Sequence, residues 1–196
     1  EHAESVLAVM NGGWKTAHGH WGTTIAGHTF VPPRVEGCTI AIFEDGAVRI
    51  RAWPELERRT DEMESHRQTP PCLLSAGELH PALQAGQERP WGGNDPKVKT
   101  RRRSALGVDA TGRILFYGFG EEAGAKMLAE GMRLGGAIEA AETDINYSWT
   151  RFLLVGKPKG DSKLQITSTL VPKMVHQKSG YVERAAPRDF FYVRRR

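Results

Sequence analysis

Two pairs of short apolar segments, each joined by a tight turn, constrain the fold of this chain more than any other feature. The turns are Glu44-Asp45-Gly46 and Asp109-Ala110-Thr111-Gly112, and the apolar segments that flank them are 38–43, 47–52, 104–108 and 113–118. Asp and Gly between apolar segments are typical of β-hairpins, because glycine readily adopts the positive φ that such turns require. The chain also has 22 glycines and 11 prolines, which predicts many turns and excludes a helical bundle.

The remaining apolar segments predict further short strands and one clear helix. The helix covers 121–134 and ends at Gly135-Gly136, and the apolar positions that follow its period are Ala125, Leu128, Ala129 and Met132. The apolar residues over 54–66 follow helical spacing only weakly, and the segment 69–100 is predicted to be irregular. Strands are predicted over 6–10, 22–25, 29–31, 151–155, 164–170, 181–182 and 189–193. We therefore expect an α+β fold with mostly antiparallel sheets, hairpins and few helices, in a single domain over 1–196.

The composition indicates what class of protein this is and which partners it favours. With 39% hydrophobic and 26% charged residues, the chain is typical of a folded globular protein, and no apolar run is long enough to predict a transmembrane segment. Six arginines lie in two triplets, 101–103 and 194–196. Clusters this short are usually solvated surface, and no aromatic residues interleave with them, so nucleic acid is the less favoured partner.

The two cysteines, Cys38 and Cys72, are too far apart in sequence for a Cys-x-x-Cys zinc site. Export would allow them to form a disulfide, but both lie in apolar surroundings, and this slightly favours buried free thiols. His18 and His20 would share a face in a strand, yet a third ligand is missing. We therefore predict no metal site and no cofactor.

Polar residues follow the first predicted strand at Asn11-Gly12-Gly13-Trp14. Two successive glycines let the backbone turn sharply or approach a ligand closely. A plain turn with exposed polar residues fits the same pattern equally well.

Two later segments also carry residues suited to chemistry. Arg103 opens a predicted strand, Arg103-Ser104-Ala105-Leu106-Gly107, where it could hold a phosphate or simply form a charged edge. In Asp144-Ile145-Asn146-Tyr147-Ser148, the alternating Asp, Asn and Ser would face one side if extended. Such a trio suits a base or nucleophile with supporting hydrogen bonds, and the alternative is a turn whose Asp and Asn cap their own backbone.

In this order, the three segments resemble the phosphodiester glycosidase family. That family has an Asn-Gly-Gly/Asp-aromatic turn after a strand, as at 11–14, and an Arg-Thr/Ser-Ala-Ile/Leu-Gly strand, as at 103–107. A helix with a glycine-containing end and then an Asp-rich turn follow, as at 127–136 and Asp144. The resemblance is clearest over 6–156, and 157–196 would be the C-terminal part of the domain or an extension.

One departure from the family pattern lies in the last turn. The family sequence is usually Asp-Gly-Gly-Gly-Ser, and here Ile145, Asn146 and Tyr147 replace the three glycines. Side chains at these positions disfavour positive φ and close approach of a ligand, so the departure implies a reshaped pocket.

The resemblance implies hydrolysis of a sugar-1-phosphodiester bond in a glycan or cell-envelope polymer, without a cofactor. Asp144 would be the base or nucleophile, and Arg103 the cation that holds the departing phosphate. Glu78 would be a second carboxylate. The substrate-binding residues would be Asn11, Gly12, Gly13, Asn146 and Ser148. Four aromatic residues could stack on a sugar ring, namely Trp14, Trp21, Tyr147 and Trp149.

The resemblance also implies an extracytoplasmic or secreted location and a carbohydrate or sugar-phosphate substrate such as an exopolysaccharide. Because the chain starts at Glu1 and not at Met, we expect a processed or trimmed form, or part of a larger protein or assembly. The altered turn keeps a second function open, a non-catalytic carbohydrate-binding or assembly domain that retains the fold.

Overall fold

A computed structural model describes residues 5–92, 100–160, 163–174, 181 and 184–195. The helices are α1 (Trp53–Leu56), α2 (Pro81–Gln84) and α3 (Ala125–Leu134), with 3₁₀ turns at Glu57–Glu62 and Arg89–Trp91. The strands are β1 (Val6–Asn11), β2 (Thr23–Ile25), β3 (His28–Val31), β4 (Cys38–Phe43), β5 (Val48–Ala52), β6 (Met63–Thr69), β7 (Leu74–Ser75), β8 (Glu78–Leu79), β9 (Arg101–Val108), β10 (Leu115–Ala123), β11 (Glu139–Asp144), β12 (Phe152–Gly156), β13 (Gln165–Thr169) and β14 (Phe190–Arg194).

These strands form three sheets, with the orders β13-β12-β1-β14, β10-β9-β11-β7-β8 and β3-β2-β6-β4-β5. Every strand pair among the described residues is antiparallel. The predicted α+β fold of antiparallel sheets, hairpins and few helices is therefore confirmed.

Both predicted hairpins form, and turn residues fix their position. Gly46 has a φ of 79° and its amide donates to the Phe43 carbonyl at 2.7 Å, which closes the β4–β5 turn. In the second turn, Asp109 Oδ1 accepts from the amides of Arg113 and Ile114, both at 2.9 Å. The Thr111 hydroxyl and these amides lower the pKa of Asp109 to about 2.

The predicted helix is confirmed in its apolar face but not in its start. The positions predicted to face the core, Ala125, Leu128, Ala129 and Met132, are all buried. Residues 121–123 instead extend β10, and Ala123 pairs with Arg101. The helix begins later because the Glu88 carboxylate accepts the amides of Ala125 and Lys126, which are among the unsatisfied donors of its first turn.

The weak helical spacing over 54–66 gave a prediction that is wrong beyond residue 62. Only α1 and a 3₁₀ turn form there, and from Met63 the chain enters β6, which lies between β2 and β4. The segment over 69–87 holds β7, β8 and α2. Of the strand predicted at 181–182, Tyr181 lies in a turn and residue 182 lies outside the described residues.

The interpretation of Cys38 and Cys72 as free thiols is wrong, because they form a disulfide. Strand pairing explains how they meet. Cys38 is paired with Thr69 at the end of β6, and the chain then returns so that the two cysteine α-carbons lie 4.7 Å apart. The bond therefore links the start of β4 to the segment that leads into β7.

The chain divides into two compact units, one of Glu1–Gly12 with Asn146–Arg196 and the other of Gly13–Ile145. The first unit holds β1 and β12 to β14, with Val9, Met10 and Leu153 buried. The second holds the other two sheets, and α3 packs there against Leu73, Trp91 and Ala140. The expectation of a single domain stays a prediction. No helix within the described ranges has the length and apolar character needed to cross a membrane.

We predict that the disulfide contributes substantially to stability. Replacing both cysteines by serine should lower the free energy of unfolding by about 3 kcal/mol, because the bond closes a loop with a sequence separation of 34. Urea unfolding of the double variant and of the reduced wild type should agree. Two thiols that react with iodoacetamide in the unfolded, unreduced chain would contradict this prediction.

Candidate functional site

The residues predicted from sequence to form a site are divided between the two units. Asn11, Gly12, Asn146 and Ser148 belong to the first unit, while Gly13, Glu78, Arg103 and Asp144 belong to the second.

Arg103 lies in β9, in the interior of the second unit, with only 1% of the residue exposed. Its Nη1 donates to Glu142 Oε2 at 2.6 Å and to the Trp91 carbonyl at 2.7 Å, while Nε donates to the Ala123 carbonyl at 2.8 Å. These contacts are all with protein groups. They hold the guanidinium in the buried interior of the unit, so Arg103 does not form an exposed charged edge.

Glu142, the partner of Arg103, was not predicted from sequence. Its side chain is fully buried in β11, and no hydrogen bond reaches its Oε1 from the described residues. Burial raises the pKa of Glu142 to about 8, since the opposing effect of Arg103 is smaller, and the charges of Asp144 and Glu88 raise it further. The carboxyl is therefore largely protonated at neutral pH.

Asp144 ends β11 and is 6% exposed. Its Oδ1 accepts the amide of Ile145 at 2.7 Å, which holds the carboxylate against its own backbone. The ladder to β9 is irregular between Glu142 and Asp144, and Asp144 pairs there with Ser104. Because the Asp144 charge affects Glu142, two carboxyl groups and the Arg103 guanidinium form one electrostatic group at the end of β11.

The three sequence segments converge around Gly92 in the second unit. A Cβ at Gly92 would overlap Ile145 Cδ1 and would lie 3.3 Å from Trp14 Cη2, so both side chains cover this glycine. Gly92 has a φ of 76°, which favours glycine there. The neighbouring Trp91 carbonyl accepts a hydrogen bond from Arg103. One residue from each of the three sequence segments, namely Trp14, Arg103 and Ile145, therefore contacts Trp91 or Gly92.

Arg67 is a second buried arginine, and it holds the first segment in place. Its Nη2 donates to the Trp14 carbonyl, and its Nη1 donates to the carbonyls of Gln68 at 2.7 Å and Trp21 at 3.3 Å. A Cβ at Gly13 would lie 2.9 Å from the guanidinium carbon, so glycine allows this close approach. Arg67 was missed because the sequence did not predict β6.

In the first unit, Asn11 and Gly12 contact neighbouring backbone. Asn11 Oδ1 accepts the amide of Arg151 at 3.0 Å, and its Nδ2 donates to the Gly12 carbonyl at 3.0 Å. The Gly12 amide donates to the Asp189 carbonyl at 3.1 Å, and a Cβ there would overlap the Asp189 carboxylate. Asp189 is thus a carboxylate close to this turn that the sequence did not indicate.

The expectation of an extended Asp-Asn-Ser trio is wrong. Residues 147–149 form an exposed turn in which Asn146 Oδ1 accepts the amide of Ser148 at 2.8 Å and the Asn146 carbonyl accepts that of Thr150 at 3.0 Å. This is the capping arrangement held open as the alternative. None of the described residues 145–148 has a positive φ, so this turn does not need the family's glycines.

Glu78 is exposed on β8, where it pairs with Ser75. Leu74 pairs with Ala140, so the β7–β8 hairpin lies beside the start of β11. Ala140 is roughly 13 Å from Asp144 along β11. The carboxyl groups whose charges affect Glu142 are Asp144 and Glu88, and Glu78 is not among them. His18 lies within a turn at 16–19 and His20 directly follows it, so neither is in a strand. Within the described ranges, no three His, Cys, Asp or Glu side chains are grouped to hold a metal.

We predict that Glu142 makes stability fall as pH rises. The folded protein holds a proton on Glu142 between its ordinary pKa of 4.5 and about 8, so the free energy of unfolding should decrease across this window by up to about 1.4 kcal/mol per pH unit. Glu142→Gln should remove that contribution, measured as the difference between the two proteins in urea unfolding at several pH values. The exposed-residue variant Glu64→Gln should keep the wild-type slope. Equal slopes for wild type and Glu142→Gln would overturn the assignment.

No family model matches the chain, and no curated protein sequence matches it either. Among solved structures, it is similar to the zebrafish N-acetylglucosamine-1-phosphodiester α-N-acetylglucosaminidase catalytic domain, auto-inhibited by its pro-peptide. The TM-score is 0.58 and the identity 16%, over 78% of this chain and 54% of that one. A hypothetical protein from Synechocystis is similar with a TM-score of 0.53 and 12% identity, over 77% and 48%. The chain thus spans about half the length of these structures, and it shares with that glycosidase domain a distant relationship in fold.

Proposed function

We propose that the chain is a hydrolase of the phosphodiester glycosidase type, which cleaves the bond between an anomeric carbon and a phosphodiester. The observation that carries the proposal is the electrostatic group of Asp144, Glu142 and Arg103 at the end of β11. It occurs in a fold similar to that of a phosphodiester glycosidase catalytic domain. A carboxyl group whose pKa is raised beside a second carboxyl group is an arrangement that acid and base roles use.

Asp144 is the least buried member of this group and is our candidate for the reacting carboxylate. It would act as nucleophile or as base for water at an oxocarbenium-like anomeric carbon. The bond from that carbon to the phosphate oxygen breaks, water supplies the new hydroxyl, and the sugar and a phosphomonoester leave. A phosphomonoester is a good leaving group, so little proton transfer to it is needed.

The proposed role of Arg103 is to balance the charge of the site. With Glu142 protonated, the guanidinium is available to stabilise an ionised Asp144 and the negative charge that develops on phosphate. Direct contact with phosphate, as the family resemblance implies, would require access to a side chain that is 1% exposed. Sugar binding by Asn11, Gly12, Gly13, Asn146, Ser148 and Glu78 stays a prediction.

The substrate would be a sugar-1-phosphodiester in a glycan, exopolysaccharide or cell-envelope polymer. A disulfide between Cys38 and Cys72 supports the extracytoplasmic or secreted location that the resemblance implies, because such bonds persist in oxidising compartments.

The second candidate function is a non-catalytic carbohydrate-binding or assembly domain. It is favoured by the contacts of Arg103, which join the guanidinium to Glu142 and to the carbonyls of Trp91 and Ala123. On this view the buried group stabilises the sheet and takes no part in chemistry.

We predict that Asp144→Asn lowers hydrolysis of a panel of synthetic sugar-1-phosphodiesters by about 10²- to 10⁴-fold, the usual range for loss of an acid or base. Asp61→Asn, which makes the same change at an exposed position, should retain wild-type activity. Urea unfolding should show that both variants are folded. If the wild type turns over no substrate but binds the sugars, the second candidate function is correct and the hydrolase proposal fails.

A further inference from the structure

Three aromatic side chains of the first unit form a row that ends on β14, which is an edge strand of its sheet among the described residues. The ring centroids of Tyr181 and Phe190 lie 5.1 Å apart, and those of Phe190 and Tyr192 lie 6.5 Å apart. Phe190 is 38% exposed and Tyr192 is 54% exposed, while Tyr181 is half-buried. Tyr181, Phe190 and Tyr192 therefore form an aromatic strip that solvent reaches.

Strand pairing holds two rings of the aromatic strip in a fixed register. Phe190 pairs with Asn11 and Tyr192 pairs with Val9, and both partners in β1 are buried. Because alternate residues of a strand point to the same face, Phe190, Tyr192 and Arg194 share one side of β14. These three are exposed, and the two residues between them are half-buried. The exposed rings and the guanidinium are thus presented by a sheet, so little order has to be gained when a ligand binds.

The polar groups of this surface are available to a ligand. Among the described residues, no hydrogen bond involves the hydroxyl of Tyr181 or of Tyr192, and no hydrogen bond or ion pair involves the side chain of Arg194. Tyrosine combines an apolar ring with a polar tip, which makes it common where a surface binds a partner that is partly polar. The aromatic strip and Arg194 together offer ring faces, two hydroxyls and one cation.

The unit that carries the aromatic strip is strongly basic. Its sequence, residues 1–12 and 146–196, has eleven Lys and Arg against five Asp and Glu, a net charge of +6, although the whole chain has only +4. Arg194 and Arg195 place two of these positive charges within three residues of Tyr192, and both are exposed. A negatively charged partner is therefore attracted to this unit, and charge complementarity favours an anion at the aromatic strip.

An acidic polysaccharide has the chemistry that these groups recognise. A sugar ring presents C–H groups on its face and hydroxyls at its edge, so its face can pack on the negative face of an aromatic ring. A carboxylate on the sugar matches the planar donors of a guanidinium. Single-stranded nucleic acid would combine stacking with positive charge in the same way. The Cys38–Cys72 disulfide favours the polysaccharide, because such bonds persist in oxidising compartments outside the cytosol.

We propose that the aromatic strip and Arg194 form a binding site for an acidic polysaccharide, whose sugar rings pack on the aromatic side chains and whose carboxylates bind the guanidinium. The site uses none of the four aromatic residues that the sequence suggested for stacking. It goes beyond the proposed hydrolase function, because binding here requires neither turnover nor Asp144.

The test measures binding to the full chain by calorimetry, with an oligogalacturonate and a neutral maltooligosaccharide of equal length as probes. The wild type should bind the oligogalacturonate more tightly, and added salt should reduce this difference. Tyr192→Ala should weaken binding of the oligogalacturonate by about tenfold, as expected for loss of one aromatic side chain from a binding surface. Tyr192→Phe keeps the ring and should weaken binding less. Arg194→Gln should weaken binding of the oligogalacturonate but not of the maltooligosaccharide.

Two variants of the same unit serve as matched controls. Leu154→Ala shortens a side chain that is 45% exposed in β12, and Lys159→Gln removes one positive charge from an exposed residue outside the strip. Each should change binding by less than about twofold, since neither contacts the ligand and a distant surface charge is screened by salt. Urea unfolding should show every variant to be folded.

The proposal fails if the wild type binds the two oligosaccharides equally or binds neither. It fails as well if Tyr192→Ala has no larger effect than Leu154→Ala, or Arg194→Gln no larger effect than Lys159→Gln. Tighter binding of a single-stranded oligonucleotide would identify nucleic acid as the ligand, and a dimer that Tyr192→Ala dissociates in sedimentation would identify a second copy of the chain; both overturn the proposal. Asp144→Asn should retain binding even if hydrolysis is never detected, which separates this proposal from the hydrolase function.

Discussion

The hydrogen bond between Arg103 and Glu142 is the interaction on which the structure of the larger unit depends. It joins the adjacent strands β9 and β11, and the two side chains are 1% and 0% exposed. A buried guanidinium has no water to satisfy it, so the loss of its acceptor would leave a charged donor unpaired, which costs more than an ordinary hydrogen bond contributes. The carbonyls of Trp91 and Ala123 complete its surroundings. One side chain therefore ties the centre of a sheet to the edge strand β10 and to the segment before β9.

The segment 88–92 contacts Arg103 and also other parts of the same unit. Glu88 accepts the first amides of α3, and its charge also raises the pKa of Glu142. Trp91 supplies a carbonyl to Arg103, and Gly92 provides the surface that Ile145 and Trp14 cover. The start of α3, the buried Arg103 and the side chain of Ile145 thus all contact five consecutive residues. This segment has no strand or long helix of its own, and tertiary hydrogen bonds define its conformation.

Local sequence patterns correctly predicted the features that depend on interactions between residues close in sequence. The hairpin at Gly46 and the buried face of α3 follow from a turn residue and from helical periodicity, and both are in the sequence. The capping of α3 by Glu88 was missed because that carboxylate lies 37 residues from the amide it accepts. Likewise β11 is buried at every position, so it shows no alternation, and a charged residue within it appears exposed until its partner is known. Most of the fold could be predicted in this way, but little of the candidate site could, because its groups meet only through strand pairing.

Burial within β11 decides the charge state of Glu142, the carboxyl partner of Arg103. Burial raises the pKa of Glu142 to about 8, so at neutral pH the carboxyl is largely protonated although the Arg103 guanidinium donates to it. Burial within β11 therefore selects the charge state of Glu142. The turn at 145–148 needs no positive φ, so it carries the chain away from Asp144 without three glycines.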